Sequence, residues 1–320
     1  MHRLQRVLLT AAASACIVAL AVYARWRHLQ FHSVPEETLL TADRVTLPTR
    51  NIRGFLFVEA RINDAGPFLF LVDTGAEMLL VNSHVATAAG LHTDLPVQVS
   101  SIEGHATGSR TKIHHLDCGG LTLCGLHAVV MPHGALDHFD HELGSKLDGV
   151  IGFPSFAAVV LEMDFAKHEI SVVRQNAADL PDDRAIPFTG TRPVISLEIA
   201  GNTVDCIIDT GAAFTFALPS IDAEALSSAA DPSDSIITTD VSGKKVNREC
   251  AHLAGDIRHG EIAWRNPPLF TSPAGAPPII GVAAIASWRV AFDQRHKRFH
   301  VLDKYPVMEW DDETSATSFR

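Results

Sequence analysis

An apolar run ending in Asp-Thr-Gly-Ala occurs twice in this 320-residue chain. Phe68-Leu69-Phe70-Leu71-Val72 leads into Asp73-Thr74-Gly75-Ala76, and Cys206-Ile207-Ile208 leads into Asp209-Thr210-Gly211-Ala212. Behind each triplet the same succession follows. Val150-Ile151-Gly152 precedes Leu161-Glu162-Met163-Asp164 and then Lys167-His168-Glu169-Ile170-Ser171-Val172. Ile279-Ile280-Gly281 precedes Val290-Ala291-Phe292-Asp293 and then Lys297-Arg298-Phe299-His300-Val301-Leu302. Gly152 to Asp164 is 12 positions, and so is Gly281 to Asp293. The spacing differs only between triplet and glycine, 79 positions in one copy and 72 in the other, a difference that one loop insertion explains. A half-domain written twice folds into two similar units.

Each copy reads as short strands. Phe55 to Ile62, a turn over Asn63-Asp64-Ala65-Gly66-Pro67, and Phe68 to Val72 form the first hairpin. Val194 to Ile199, a turn at Ala200-Gly201-Asn202, and Val204 to Ile208 form its counterpart. Short helices are expected at 83–89, 155–159 and 283–287. Polar Asp179-Leu180-Pro181-Asp182-Asp183 falls between the copies as a linker, and the acidic end beyond Asp303 reads as a loosely ordered tail. The expected organisation is therefore a leader over 1–30, lobes over 31–175 and 188–303, a linker over 176–187 and a tail over 304–320.

The repeat predicts chemistry as well as shape. Two carboxylates held about 3 Å apart cannot both ionise cheaply, so one keeps a proton near neutral pH. The charged one acts as a base on a water between them, and the protonated one polarises a carbonyl. Asp73 and Asp209 are the candidates. Thr74 and Thr210 are expected to lock the two loops together, and Gly75 and Gly211 to allow tight turns that aim both carboxylates at one point.

These residues resemble the retropepsin-like aspartic proteases, in the fused form where one chain carries both halves of a homodimer. The resemblance runs from about residue 48 to residue 303. It implies an all-β acid-protease fold with two homologous β-barrel-like lobes and a cleft between them, and an aspartic endopeptidase without metal or cofactor, monomeric in its catalytic unit. Ala76 and Ala212 favour the retropepsin branch over pepsins, which carry Ser or Thr there. The only tyrosines, Tyr23 and Tyr305, lie outside the repeats, so the flap tyrosine of pepsins is absent. The family's Asp or Asn after the motif is replaced by Glu77 in one copy and Ala213 in the other. The two sides of the cleft are therefore unlike, and a substrate is expected to bind in one direction. Two glycine-bearing hairpins at matched offsets, Ile102 with Gly104 and Val241 with Gly243, are candidate flaps over a peptide substrate. A peptide-binding module of the same fold that does not hydrolyse is the alternative, but such a module has no need of both aspartates.

Charge narrows the partners. The net charge is −11, while residues 1–30 carry four arginines and no acid, so the rest of the chain is still more acidic. Nucleic acid is excluded as a partner, since phosphate binding needs a basic face. Arg3 and Arg6 precede an uncharged stretch from Val7 to Ala24, about 27 Å long as a helix, which fits a signal anchor or a signal peptide. Arg25-Trp26-Arg27-His28 after it favours a retained anchor and an extracytoplasmic catalytic unit. Cys118 and Cys124 flank Gly119-Gly120-Leu121-Thr122-Leu123 as an expected hairpin with the pair opposed, and Cys206 reads as a core thiol. Neither the cysteines nor His133, His138 and His141 have metal-ligand spacing, and that histidine loop reads as solvated.

Overall fold

Three β-sheets account for most of the chain. The computed structural model describes residues 33–101, 104–136, 144, 146–219, 235–239, 245–253, 255–303 and 307–309. The apolar leader, the flap residues Ile102, Val241 and Gly243, the histidines at 138 and 141 and the far end of the tail lie outside the described residues. Among the described residues no helix is long and apolar enough to cross a membrane.

The two copies of the repeat build sheets with the same internal order. In the first, Leu121–Met131, Leu79–Asn82, Gly149–Gly152, Ala65–Asp73 and Phe55–Ile62 lie side by side. In the second the order is Pro268–Ser272, Phe216–Pro219, Ile279–Gly281, Asn202–Asp209 and Val194–Ile199. Strand senses match as well. Gly149–Gly152 runs parallel to Ala65–Asp73, as Ile279–Gly281 does to Asn202–Asp209. That register sets Gly152 beside Asp73 and Gly281 beside Asp209. The apolar pair plus glycine of the sequence repeat is thus the strand that braces each triplet. All four residues of Gly149–Gly152 are buried, which is why the segment reads as apolar rather than alternating.

The third sheet is shared. Val159–Asp164 pairs antiparallel with Arg289–Asp293, Val160 opposite Asp293 and Asp164 opposite Arg289. With the equal 12-residue spacing from each glycine, this is the pairing of one strand with its own repeat. Glu169–Arg174 and Arg44–Thr46 extend the sheet on one side, Arg298–Val301 and Ala185–Pro187 on the other. One continuous apolar core joins the halves, from Leu56, Phe70 and Phe153 through Phe292 to Trp264 and Trp288. The two indoles stack at 5.1 Å.

Glu162 is among the buried charged residues. Arg44 grips its carboxylate with two hydrogen bonds of 2.7 and 2.8 Å, and Arg289 of the second repeat adds one of 2.7 Å. Burial alone would push the Glu162 carboxyl up, but the two guanidiniums outweigh it and hold it below its ordinary value.

Several local expectations are corrected. The first hairpin turn is shorter than five residues: Asn63 and Asp64 take positive φ, 45° and 70°, and the strand resumes at Ala65. A two-residue turn with left-handed backbone suits the twist of the strands it joins. The helix at Ser83–Ala88 forms, but those expected at 155–159 and 283–287 are single 3-10 turns at Phe153–Phe156 and Val282–Ile285. Each must hand over within a few residues to the shared sheet, and no α-helix fits that length. The cysteine hairpin forms between His105–Cys118 and Leu121–Met131, yet Cys118 faces Leu121 and Cys124 faces His115. A two-residue Gly119-Gly120 turn fixes that register, so the two thiols are not opposed. Cys118, Cys124 and Cys206 form no disulfide, and burial pushes the Cys118 and Cys206 thiols up to about 12.

Candidate functional site: two aspartates at one point

Asp73 and Asp209 end equivalent strands, and the fold brings their carboxyls within hydrogen-bonding reach of each other. The threonines behind them make this possible. Thr74 Oγ1 donates to the Ile208 carbonyl at 2.6 Å, and Thr210 Oγ1 donates to the Val72 carbonyl at 2.8 Å. Each hydroxyl also accepts the other threonine's backbone N–H, at 3.1 and 3.0 Å. Both threonines are buried, so every donor and acceptor of the lock finds its partner in the opposite repeat.

The glycines act differently from the expectation. Neither Gly75 nor Gly211 has a left-handed φ, so turn tightness does not require them. What requires them is space. A Cβ on Gly75 would sit 2.5 Å from Asp209 Oδ2, and one on Gly211 would sit 2.6 Å from the Asp73 carboxyl carbon. Each glycine lets the other repeat's carboxyl approach its backbone. Gly152 and Gly281 are equally tight, with a Cβ meeting the Ala76 and Ala212 carbonyls at 2.8 Å in turn. Phe153 N–H donates to the Ala76 carbonyl at 2.9 Å and Val282 N–H to the Ala212 carbonyl at 2.8 Å.

The electrostatics of the pair is uneven. Asp73 Oδ1 accepts the Gly75 N–H at 2.7 Å and the Ala76 N–H at 3.2 Å, while Asp209 Oδ1 accepts the Gly211 N–H at 2.9 Å. Both carboxyls are raised above the ordinary carboxylate value, chiefly by desolvation among tightly packed backbone. The Asp73 charge opposes a second one on Asp209, while the Gly75 and Ala76 N–H groups support the Asp73 carboxylate, so the two titrate as a pair. Arg192 is the positive charge that reaches Asp209 and partly offsets the rise.

Glu77 lies on the triplet loop and accepts a hydrogen bond from Thr191 of the other repeat. Gly104 closes the hairpin between Thr93–Ser100 and His105–Cys118, its carbonyl accepting the Ser101 N–H at 2.8 Å. Ser235–Thr239 and Lys245–His252 form the matching hairpin of the second repeat. Sequence reading passed over Thr191 and Arg192, which lie in the turn before Val194–Ile199 without any motif of their own; only their contacts across the fold find them. Among the described residues no three His, Cys, Asp or Glu side chains gather to hold a metal ion. A polar cavity of about 310 Å³ lies away from the aspartates, lined by Arg44, Glu162, Asp164, Lys167 and Arg289. Its charges already pair with one another.

An all-β chain whose two Asp-Thr-Gly loops meet in this way has the architecture of an acid protease. Residues 58–155 match the family model described as aspartyl protease, a span that holds the first triplet and its bracing glycine. The match supports a protease function and a peptide or protein substrate. No curated protein matches the chain.

Proposed function

We propose that the chain is an aspartic endopeptidase that hydrolyses peptide bonds with a water held between Asp73 and Asp209. The observation that carries this reading is the pair of carboxyls within hydrogen-bonding reach, seated on reciprocal threonines. Asp73, supported by three N–H groups, takes a proton from the water as its oxygen attacks the scissile carbonyl. Asp209 gives its proton to the carbonyl oxygen, which yields a tetrahedral diol. As that diol collapses, a proton passes to the departing nitrogen, the C–N bond breaks and the pair returns to its one-proton state. A flap such as the hairpin that Gly104 closes would shield the bound peptide from solvent.

The reading extends to place and assembly. Residues 1–30 anchor the chain in a membrane with the catalytic unit outside the cytoplasm, and that unit works as a monomer because one chain supplies both aspartates. A reporter fused after Arg320 that is active only in the cytoplasm would overturn the topology.

The test of activity is incubation of the full chain with a mixed peptide library, read by mass spectrometry with and without a statine-type inhibitor. Inhibitor-sensitive cleavage is expected, and it is expected to vanish in both Asp73→Asn and Asp209→Asn. Near-native cleavage in either variant would sink the shared-proton mechanism. A folded wild type that binds peptides and cleaves none would turn the reading to the binding module.

A further inference from the structure

The two halves of the site match in backbone but not in charge. Phe57 faces Leu71 in the first repeat, and Val194 faces Ile207 in the second, each two residues before the aspartate. The second register continues through Pro193, whose carbonyl accepts the Ile208 N–H at 2.9 Å. Phe55 opens its strand two residues ahead of Phe57, and Arg192 sits two residues ahead of Val194, in the turn between Thr191 and Pro193. Position for position, one repeat therefore carries a phenyl ring where the other carries a guanidinium.

The asymmetry runs on into the flanking positions. Thr191, before Arg192, bonds Glu77 across the interface. The equivalent positions in the other half are Gly54 and Ala213, neither with a polar side chain. Phe55 is partly buried against both apolar clusters of the first repeat. Arg192 is also partly buried, yet among the described residues no carboxylate forms an ion pair with it. Its charge reaches Asp209, without a hydrogen-bonded partner there. A half-buried guanidinium that lacks an ion-pair partner loses solvation, which a bound carboxylate would restore through two parallel hydrogen bonds.

We infer that Arg192 sets substrate choice: the cleft takes peptides with an acidic side chain beside the scissile bond on the Arg192 side and an apolar one on the Phe55 side. This rests on the peptidase reading and gives it a direction. Phe55 and Arg192 stand on opposite sides of the point where the aspartates meet, so a peptide reversed in the cleft would set its carboxylate against the ring and leave the guanidinium bare.

The experiment measures binding rather than turnover, so that it stands apart from hydrolysis. Reduced-amide octapeptides with Phe on both sides of the uncleavable bond and alanine elsewhere would carry one Glu, or one Gln, at each flanking position in turn. Titrated calorimetrically into the full chain at pH 6, Glu is expected to bind roughly tenfold tighter than Gln on one side of the bond only. Arg192→Gln is expected to erase that difference, and Arg192→Glu to reverse it in favour of a Lys peptide. Equal binding of Glu and Gln peptides, or a Glu preference that survives Arg192→Gln, overturns the inference. Cleavage of the unreduced peptides by the same protein tests the peptidase reading separately, and its success would not rescue a missing Glu preference.

Discussion

Thr74 and Thr210 each use one hydroxyl to donate to a carbonyl of the opposite repeat and to accept the other's N–H. Four hydrogen bonds thus tie together two loops 136 positions apart. The lock holds the two triplet loops together, and the proposed mechanism needs the carboxyl separation that it sets.

Thr74→Val keeps the shape and removes the hydroxyl. It strands the Ile208 carbonyl and the Thr210 N–H in a buried place, at a cost of roughly 1–3 kcal/mol for each group. A lower thermal midpoint and a large loss in kcat are expected, with Thr74→Ser restoring most of both. An activity profile unchanged in Thr74→Val would show that the aspartates are positioned by other contacts.

Gly75→Ala is expected to abolish activity while most of the fold persists. The new methyl would overlap the Asp209 carboxyl, so the two loops must part or the carboxyl must turn away. Gly54→Ala serves as the control for space, because nothing lies within 4 Å of a Cβ there, although its φ of 83° adds backbone strain. If Gly75→Ala retains wild-type kcat/KM, the close approach of carboxyl to backbone is not needed.

The raised carboxyls weaken the native state at neutral pH. A carboxyl whose folded value lies above 3.8 binds more protons folded than unfolded, so stability falls as pH climbs from about 3.8 through the folded value. Below that window both states are protonated and the group contributes nothing. Asp209→Asn is therefore expected to raise the thermal midpoint at pH 7 and to leave it near wild type at the acidic end. A midpoint lowered at pH 7 would contradict the burial of an uncompensated charge.

Catalysis is expected to peak at mildly acidic pH, as a bell whose limbs belong to the pair. Ala76 and Ala212 offer no hydroxyl to either carboxylate, and Ala76 supports Asp73 through its backbone N–H alone. Ala76→Ser adds a donor to the charged form and should shift the acidic limb downward. A rate maximum below about pH 3 in the wild type would refute this account of the alanines.

Glu162→Gln probes the other interlobe tie. The depressed Glu162 carboxyl stabilises the fold above its ordinary value of 4.5, and that support is lost as pH falls through its folded value. Breaking the pair is expected to cost about 3 kcal/mol at pH 7 and little at low pH, since Arg44 and Arg289 keep partial access to water. Chemical denaturation at both pH values reads the difference. A loss that does not depend on pH would make Glu162 a packing residue.

Much of this was legible in one dimension. Two triplets, two later glycines and a constant 12-residue spacing specify strand, brace and shared sheet, because each is a local pattern of apolar residues and small ones. Composition separates an acidic surface from a nucleic-acid partner. The hairpin holding Gly104 follows from a glycine between alternating strands, while Ile102, Val241 and Gly243 lie outside the described residues. The 3-10 turns after each glycine escaped the reading, since their length is set by what they must reach and not by their own propensity.

The sequence by itself determined which residues meet: a repeat that cannot bury its apolar face alone must pack on its copy, and that brings Asp73 to Asp209. Only the tertiary structure decided how the meeting works. Gly75 is needed for a neighbour 134 positions away, burial where the loops meet raises both carboxyls, and the bond between Ile208 and Pro193 brings the turn that holds Arg192 to the second triplet. None of these is a property of a segment, since each depends on the distance between groups that the chain holds far apart until it folds.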